Sequence, residues 1–420
     1  MPAVCLCFHV HQPVRLRRFS YFHVGGRHEH FDATNRDVVL RVSEGCYLPT
    51  NRMLADLIER HAGRVRVAFS ITGTAIEQMA RYAPAAIESF RALAGTGCVE
   101  FLAETYYHSL AALYDTGEFR AQVAQHTAHV EALFGRRPTV FRNTELIYSD
   151  HIGALIEDMG FEAVLADRGD PVPRADDPHG VYLRPGGTLR LLLKDRRVSA
   201  DVACRFNGRA TGGPAITARA LVDRLTTVNG GCDGAVVNLM VGYQTLADGL
   251  PQAEERGQFL AEMAAAILAE PGWAFETPSE AARSHTPRCE LGFPEPVSCA
   301  EASRDHSAWS GNHMQAGALR RLYDLGPKIL ECGNAVSIDL WRNLQSSDHF
   351  NYMSTTGGPD DGVSLAPSPY PSPYDAFINY MNVVTDLSTM LATRPDLSRH
   401  NEPSVSTGGT VARMPAGHVA

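Results

Sequence analysis

The sequence predicts a closed or nearly closed β/α barrel followed by a small helical domain, and three observations carry that expectation. Strand-sized apolar or β-branched runs recur over roughly the first 280 residues, helical patterns separate most of them, and beyond the proline-bearing stretch Arg283–Ser298 only helical periodicity remains. No G-x-G-x-x-G follows the first run, which disfavours an open dinucleotide-binding sheet.

The strand-sized runs are Ala3–Val10, Arg64–Ser70, Cys98–Leu102, Thr139–Arg142, Ala163–Ala166, Leu189–Leu193, Ala235–Met240 and Trp273–Thr277. Helical patterns fall at Asn51–His61, Thr74–Leu93, Glu118–Phe134, His151–Met159, Ile216–Val228 and Ala253–Ala269. Residues 1–285 therefore read as the barrel and 286–298 as a linker carrying Pro287, Pro294 and Pro296. Residues 299–396 read as a helical domain, with apolar faces at His313–Leu344 and Asp375–Thr393 and a break at Gly333. The connection Thr355–Ser372 is rich in Gly, Pro and Ser, and the weakly patterned tail 397–420 is expected to be disordered.

Composition narrows the function classes. The 38 Lys+Arg against 47 Asp+Glu give a formal charge of −9, which does not suit a nucleic-acid binder. No apolar stretch approaches the roughly 18 residues needed to cross a bilayer. Nine cysteines form no C-x-x-C pair, so neither a disulfide framework nor a zinc ribbon is expected. The N-terminus MPAVCLCFHVHQP lacks a basic region and its apolar run stops at His9, so it reads as a first strand rather than a secretion signal, and a cytoplasmic protein is expected.

Reactive side chains in parallel β/α folds gather where strands end. The first run closes on His9-Val10-His11-Gln12-Pro13, with two histidines on one side of a strand. The third continues as Val99-Glu100-Phe101-Leu102-Ala103-Glu104-Thr105-Tyr106-Tyr107-His108, and the fourth as Phe141-Arg142-Asn143-Thr144-Glu145. The strand at Val236–Val241 runs into Gly242-Tyr243-Gln244-Thr245 with no acid. Singly, each has an ordinary structural explanation: a hydrogen-bonded histidine, a capping glutamate, packed tyrosines.

Together these segments resemble glycoside hydrolase family 57, in its α-amylase-like branch. The matching stretches are His11-Gln12-Pro13, VEFLAETYYHSL from Val99, FRNTELIY from Phe141 and VVNLMVGYQT from Val236. Ser307-Ala308-Trp309, WRNLQSSDHFNYM from Trp341 and SPYDAFINYMN from Ser372 follow in the expected order. The resemblance implies an incomplete (β/α)7 barrel whose helical domain completes the cleft, acting by retention on α-glucan or maltooligosaccharide with no metal or cofactor. Retention uses two carboxyl groups about 5 to 5.5 Å apart. Glu145 falls at the nucleophile position, where nearby Arg142 favours the ionised form. The resemblance further implies sugar contacts from His9, His11, Glu100, Tyr106, Tyr107, His108, Arg142, Tyr243, Trp309, Asp348 and His349, with Tyr352 as another stacking ring. Glu145, His11, Glu100, His108, Asp348 and His349 are expected to face one cleft.

The sequence departs from the family at the second carboxyl: Gly242 stands at the general-acid position and Gln244 at the next acidic one. General acid catalysis is worth about 10²- to 10⁴-fold, so ordinary turnover is in doubt. Asp248, Asp233 and Asp201 are rescue candidates, Asp248 foremost, but a shift of about 1 Å can cost 10²-fold. A non-catalytic α-glucan-binding or regulatory protein is the alternative. A third reading takes His9-x-His11 as the start of a metal site, a weak signal without further ligands in a recognisable pattern. Oligomeric state is left open.

Overall fold

The computed structural model describes residues 1–26, 29–168, 178–207, 216–228, 234–248, 253–299, 305–355 and 368–393. The expected disordered tail, most of the Thr355–Ser372 connection and Asp233 lie outside these residues. Nine strands are present among them: β1 (Ala3–Val10), β2 (Val67–Ile71), β3 (Val99–Leu102), β4 (Val140–Arg142), β5 (Ala163–Ala166), β6 (Val181–Leu183), β7 (Arg190–Leu193), β8 (Val236–Gly242) and β9 (Ala274–Phe275).

Two sheets form, in the orders β3-β2-β1-β8 and β4-β5-β7-β6, with β9 paired to the start of β1. Every pairing is parallel except β6 with β7. Single bridges, Ala103 to Phe141 and Lys194 to Asn238, join β3 to β4 and β7 to β8. Seven strands thus close a ring as two half-shells with two narrow seams, while β6 hangs on β7 as an added hairpin partner.

The two-residue period of the strands sorts their side chains. In β1, Cys5 and Cys7 fill the small central core with Ala68, Leu102, Val140, Leu165 and Met240. Val4, Leu6, Phe8 and Val10 face the surrounding helices instead. The cysteines of the first run are small buried apolar residues here, and they put His9 and His11 on the inward parity.

All eight strand-sized runs form strands, and β6 is the one that the sequence did not suggest. The pattern at Thr74–Leu93 divides into Gly73–Tyr82 and Pro84–Gly95, because Pro84 cannot donate to the preceding turn. Helices at Thr34–Val42 and Arg196–Asn207 also escaped the sequence reading.

After the linker come His313–Cys332, Ala335–Asn343, Ser347–Asn351 and Pro373–Thr393. The first two part at Gly333, whose φ of 62° suits glycine. Trp341 locks them together by donating Nε1–H to the Leu322 carbonyl at 3.0 Å. Arg342 pairs with buried Glu118 at 2.8 and 3.1 Å. Ser347 N–H donates to the His108 carbonyl at 2.9 Å, which seats the short helix Ser347–Asn351 over the mouth of the barrel.

Gly73 marks the tightest approach near that mouth: a Cβ there would fall 2.4 Å from the Tyr106 ring. Tyr106 cannot swing away, since its hydroxyl donates to Glu77 at 2.6 Å and contacts His129. Gly73→Ala is expected to destabilise the protein by about 1–3 kcal/mol, read as a lowered thermal midpoint, despite alanine's better helix propensity.

Candidate active site

The inward parity continues past the strand ends. His9 tops β1 level with Gly242 of β8, its partner in register. Ser70 occupies the matching level of β2, Arg142 ends β4, and Lys194 follows β7. A cavity of about 20 Å³ lies among His9, Ser70, Arg142, Lys194, Gly242 and Cys299, room for a water or two but not for a sugar.

Beyond β3 the chain places Glu104 over the barrel and then turns to bring His108 back above it. Four described non-glycine residues have positive φ, and three stand here: His108 at 52°, Glu145 at 53° and Leu146 at 52°. Such conformations cost roughly 1–3 kcal/mol each and persist where surrounding contacts enforce them. Asn143 supplies one, donating Nδ2–H to the Ile147 carbonyl at 2.8 Å across the Glu145 turn.

Glu145 is 3% exposed. Its Oε1 accepts from His108 Nε2 at 3.2 Å and from the Ser347 hydroxyl at 3.1 Å, and its Oε2 faces the Cys299 thiol at 3.5 Å. Burial opposes its charge, but the His108 hydrogen bond and charge, with help from Arg142, hold its pKa at about 2. Burial likewise opposes protonation of His108, and Glu104 and Glu145 overcome it to raise that pKa to about 9. Glu104 has no exposed surface. It takes the Ser70 hydroxyl at 2.8 Å on Oε1 and meets His9, His108 and Arg142 at 3.5, 3.5 and 3.9 Å on Oε2.

A second pair spans barrel and helical region. His11 contacts Asp348 at 2.8 Å and Thr72 at 3.0 Å, and Ser346 donates to the same Asp348 oxygen at 2.7 Å. Burial disfavours the Asp348 charge, yet His11 and His108 hold its pKa well below the usual carboxylate range. A groove of about 790 Å³ is lined by Glu77, Gln78, Arg81, Asp339 and Asn343 among others, and neither His11 nor Asp348 lines it. Gln78 donates to the carbonyl of Gln12, next to His11.

Residues 5–294 match the profile of Glycosyl hydrolase family 57. The chain belongs to that family. It is 31% identical over 392 residues to a Methanocaldococcus jannaschii protein named "Putative alpha-amylase", covering 90% of this chain and 82% of that one. The fold is similar to a 4-alpha-glucanotransferase from Thermococcus litoralis, with a TM-score of 0.65 at 13% identity over 83% of this chain. The chain spans 56% of that enzyme's length. It is also similar to a branching enzyme from Pyrococcus horikoshii, with a TM-score of 0.63 at 13% identity over 86% of this chain and 87% of the other. For the alpha-amylase AmyC from Thermotoga maritima the TM-score is 0.62 at 12% identity over 94% of both chains.

Within this family 57 barrel, His9, His11, His108, Arg142, Glu145 and Asp348 come together at the mouth. Glu100 does not. It shares the inward parity of Glu104 but lies four residues earlier, roughly 13 Å down the strand, where it accepts from Ser279 N–H at 2.9 Å. Tyr243 has the opposite parity from Gly242, so its ring packs among Phe8, Tyr47 and Phe69 and its hydroxyl donates to Asn51. Tyr106, Tyr107, Trp309 and Tyr352 are all buried and present no open stacking face. His349 packs its ring against Tyr380 and Tyr352. Asp201 is paired with Arg224 on a neighbouring helix, and Gln244 accepts from Gln12 at 2.6 Å. Asp248 ends the short helix Thr245–Asp248, and its side chain lies outside the described residues.

The sequence reading passed over Glu104, although it lies inside a quoted motif; its four-residue spacing from His108 was the available signal. Ser347 was passed over in the same way, inside a quoted motif and next to Asp348. Cys299 and Lys194 carried no signal, because they lie outside the motifs.

Burial raises the Glu100 pKa to about 7, against the hydrogen bonds from Ser279 and Thr277. The folded protein therefore keeps this proton after the unfolded chain has lost it. Stability falls as pH rises from about 4.5 to 7 and stays lower above that. Glu100→Gln is expected to raise the thermal midpoint by a few degrees at pH 8 and hardly at all at pH 4, measured by calorimetry.

Proposed function

We propose that this family 57 protein acts on α-glucan or maltooligosaccharide by retention, with Glu145 as nucleophile and without the usual general-acid carboxyl. The observation that carries this is the state of Glu145: a carboxylate kept ionised by His108 and Arg142, in an enforced left-handed turn at the barrel mouth. An attacking carboxylate must be charged and fixed. Cytoplasmic residence is supported by Cys289 and Cys332, which are exposed thiols outside any disulfide. Among the described residues no helix is long and apolar enough to cross a membrane. In this reading residues 1–285 form the catalytic barrel, and the helical domain over 299–396 completes the cleft through Asp348 and Ser347. The groove lined by Gln78, Arg81, Asp339 and Asn343 has a volume within the range of roughly 300–1,000 Å³ common for ligand sites, and its planar polar groups suit sugar hydroxyls.

A second reading, glucan binding without turnover, is favoured by Gly242. It occupies the inward position at the top of β8, where no side chain can supply a proton. Glu145 also has protein donors on both oxygens.

The two readings part on substrates with different leaving groups. An α-glucosyl fluoride or aryl α-glucoside departs with little protonation, so it should be turned over at least about 10²-fold faster than maltooligosaccharide, and Glu145→Gln should abolish both reactions. Gly242 is outside the left-handed region, so a side chain is compatible with its backbone. Gly242→Asp, with Gln244→Glu, should then raise turnover of the natural glucan far more than of the activated substrate. Calorimetric binding of maltooligosaccharide with no turnover of either substrate would establish the binding reading. A folded protein that neither binds nor cleaves any α-glucan would overturn both.

A further inference from the structure

We propose that His9, Glu104 and His108 form a binding site for one transition-metal dication of the zinc type. Their facing atoms, His9 Nε2, Glu104 Oε2 and His108 Nδ1, are buried and lack a hydrogen-bond partner. All three lie within 4.8 Å of one another. Glu104 Oε2 meets the two imidazoles only as long ion-pair contacts, and a shared cation would take all three atoms as ligands at once.

The geometry suits a small ion. Glu104 Oε2 is 3.5 Å from both His9 Nε2 and His108 Nδ1, too long for good hydrogen bonds. A tetrahedral ion with bonds of about 2.0–2.1 Å has ligand-to-ligand edges of roughly 3.4 Å. Two imidazoles and a carboxylate form a donor set found at zinc sites that keep a fourth position for water.

The outer contacts also match. Ligating carboxylates and imidazoles are oriented by hydrogen bonds on their remote atoms. Glu104 Oε1 accepts from Ser70 at 2.8 Å, and His108 Nε2 donates to Glu145 at 3.2 Å. Glu104 is held at its backbone too, where its N–H donates to His126 Nδ1 at 3.2 Å while His126 Nε2 donates to the Ile71 carbonyl at 2.7 Å. His11 is excluded, since Thr72 and Asp348 occupy both of its nitrogens. Thus the sequence pair His9-x-His11 contributes one ligand, and the other two come from Glu104-x-x-x-His108. Arg142, 3.9 Å from Glu104 Oε2, weakens the site for a cation without blocking it. A metal on His108 Nδ1 fixes the tautomer that points Nε2–H at Glu145, so the ion would position the proposed nucleophile without touching it.

Binding does not depend on the glucan reading and is measured without any sugar. Tag-free full-length protein, stripped with chelator, is titrated with Zn²⁺ by calorimetry and with Co²⁺ by visible absorption. One equivalent per chain is expected, with the intense absorption of four-coordinate Co²⁺ and no thiolate band. His9→Gln and Glu104→Gln should each weaken binding by about 100-fold or more, whereas Cys289→Ser with Cys332→Ser should leave it unchanged. Folded wild-type protein that takes up no stoichiometric Zn²⁺ or Co²⁺, or that gives only the weak spectrum of six-coordinate Co²⁺, overturns the proposal. Undiminished binding in both folded Gln variants overturns it as well. Either failure leaves the substrate comparison above intact, and the failure of that comparison would leave metal binding standing.

Discussion

Glu104 is a charged group with no contact with water, and the mouth of the barrel is arranged around the need to compensate it. Isolated, such a carboxylate would give up its charge. Ser70, His9, His108 and Arg142 converge on it from β2, β1, its own loop and β4. That convergence fixes His108, and His108 in turn fixes Glu145. Both residues stand in left-handed turns, at φ of 52° and 53°. The family's fold supplies the strand ends, and one buried charge orders what stands on them.

Much of the fold was legible because it rests on short-range patterns. Strand-sized runs, the Gly333 break and the amphipathic helices are local properties, and each appears where periodicity puts it. The antiparallel β6 was passed over, its three residues Val181–Leu183 being closely bounded by Gly180 and Pro185. The division at Pro84 was not legible, since the apolar pattern runs on through a backbone that cannot.

The candidate site divides along another line. Parity along a strand tells which side a residue faces, so His9, His11, Arg142 and Gly242 could be placed from sequence together with the strand ends. Height along the barrel is not contained in parity, and for that reason Glu100 and Glu104 were indistinguishable until the register of β3 was known. The tyrosines and Trp309 illustrate a further limit. An aromatic ring near a motif serves equally to stack on a sugar or to fill a core, and burial, a property of the whole fold, decides for the core.

The two half-shells meet at β3/β4 and β7/β8 through one bridge each, and the candidate machinery straddles both joints. Glu104 and Gly242 belong to one shell, Glu145 and Lys194 to the other. A slight opening at either joint would change the spacing between groups on different shells, so the geometry at the mouth depends on how firmly two sheets are clasped as well as on which side chains they carry.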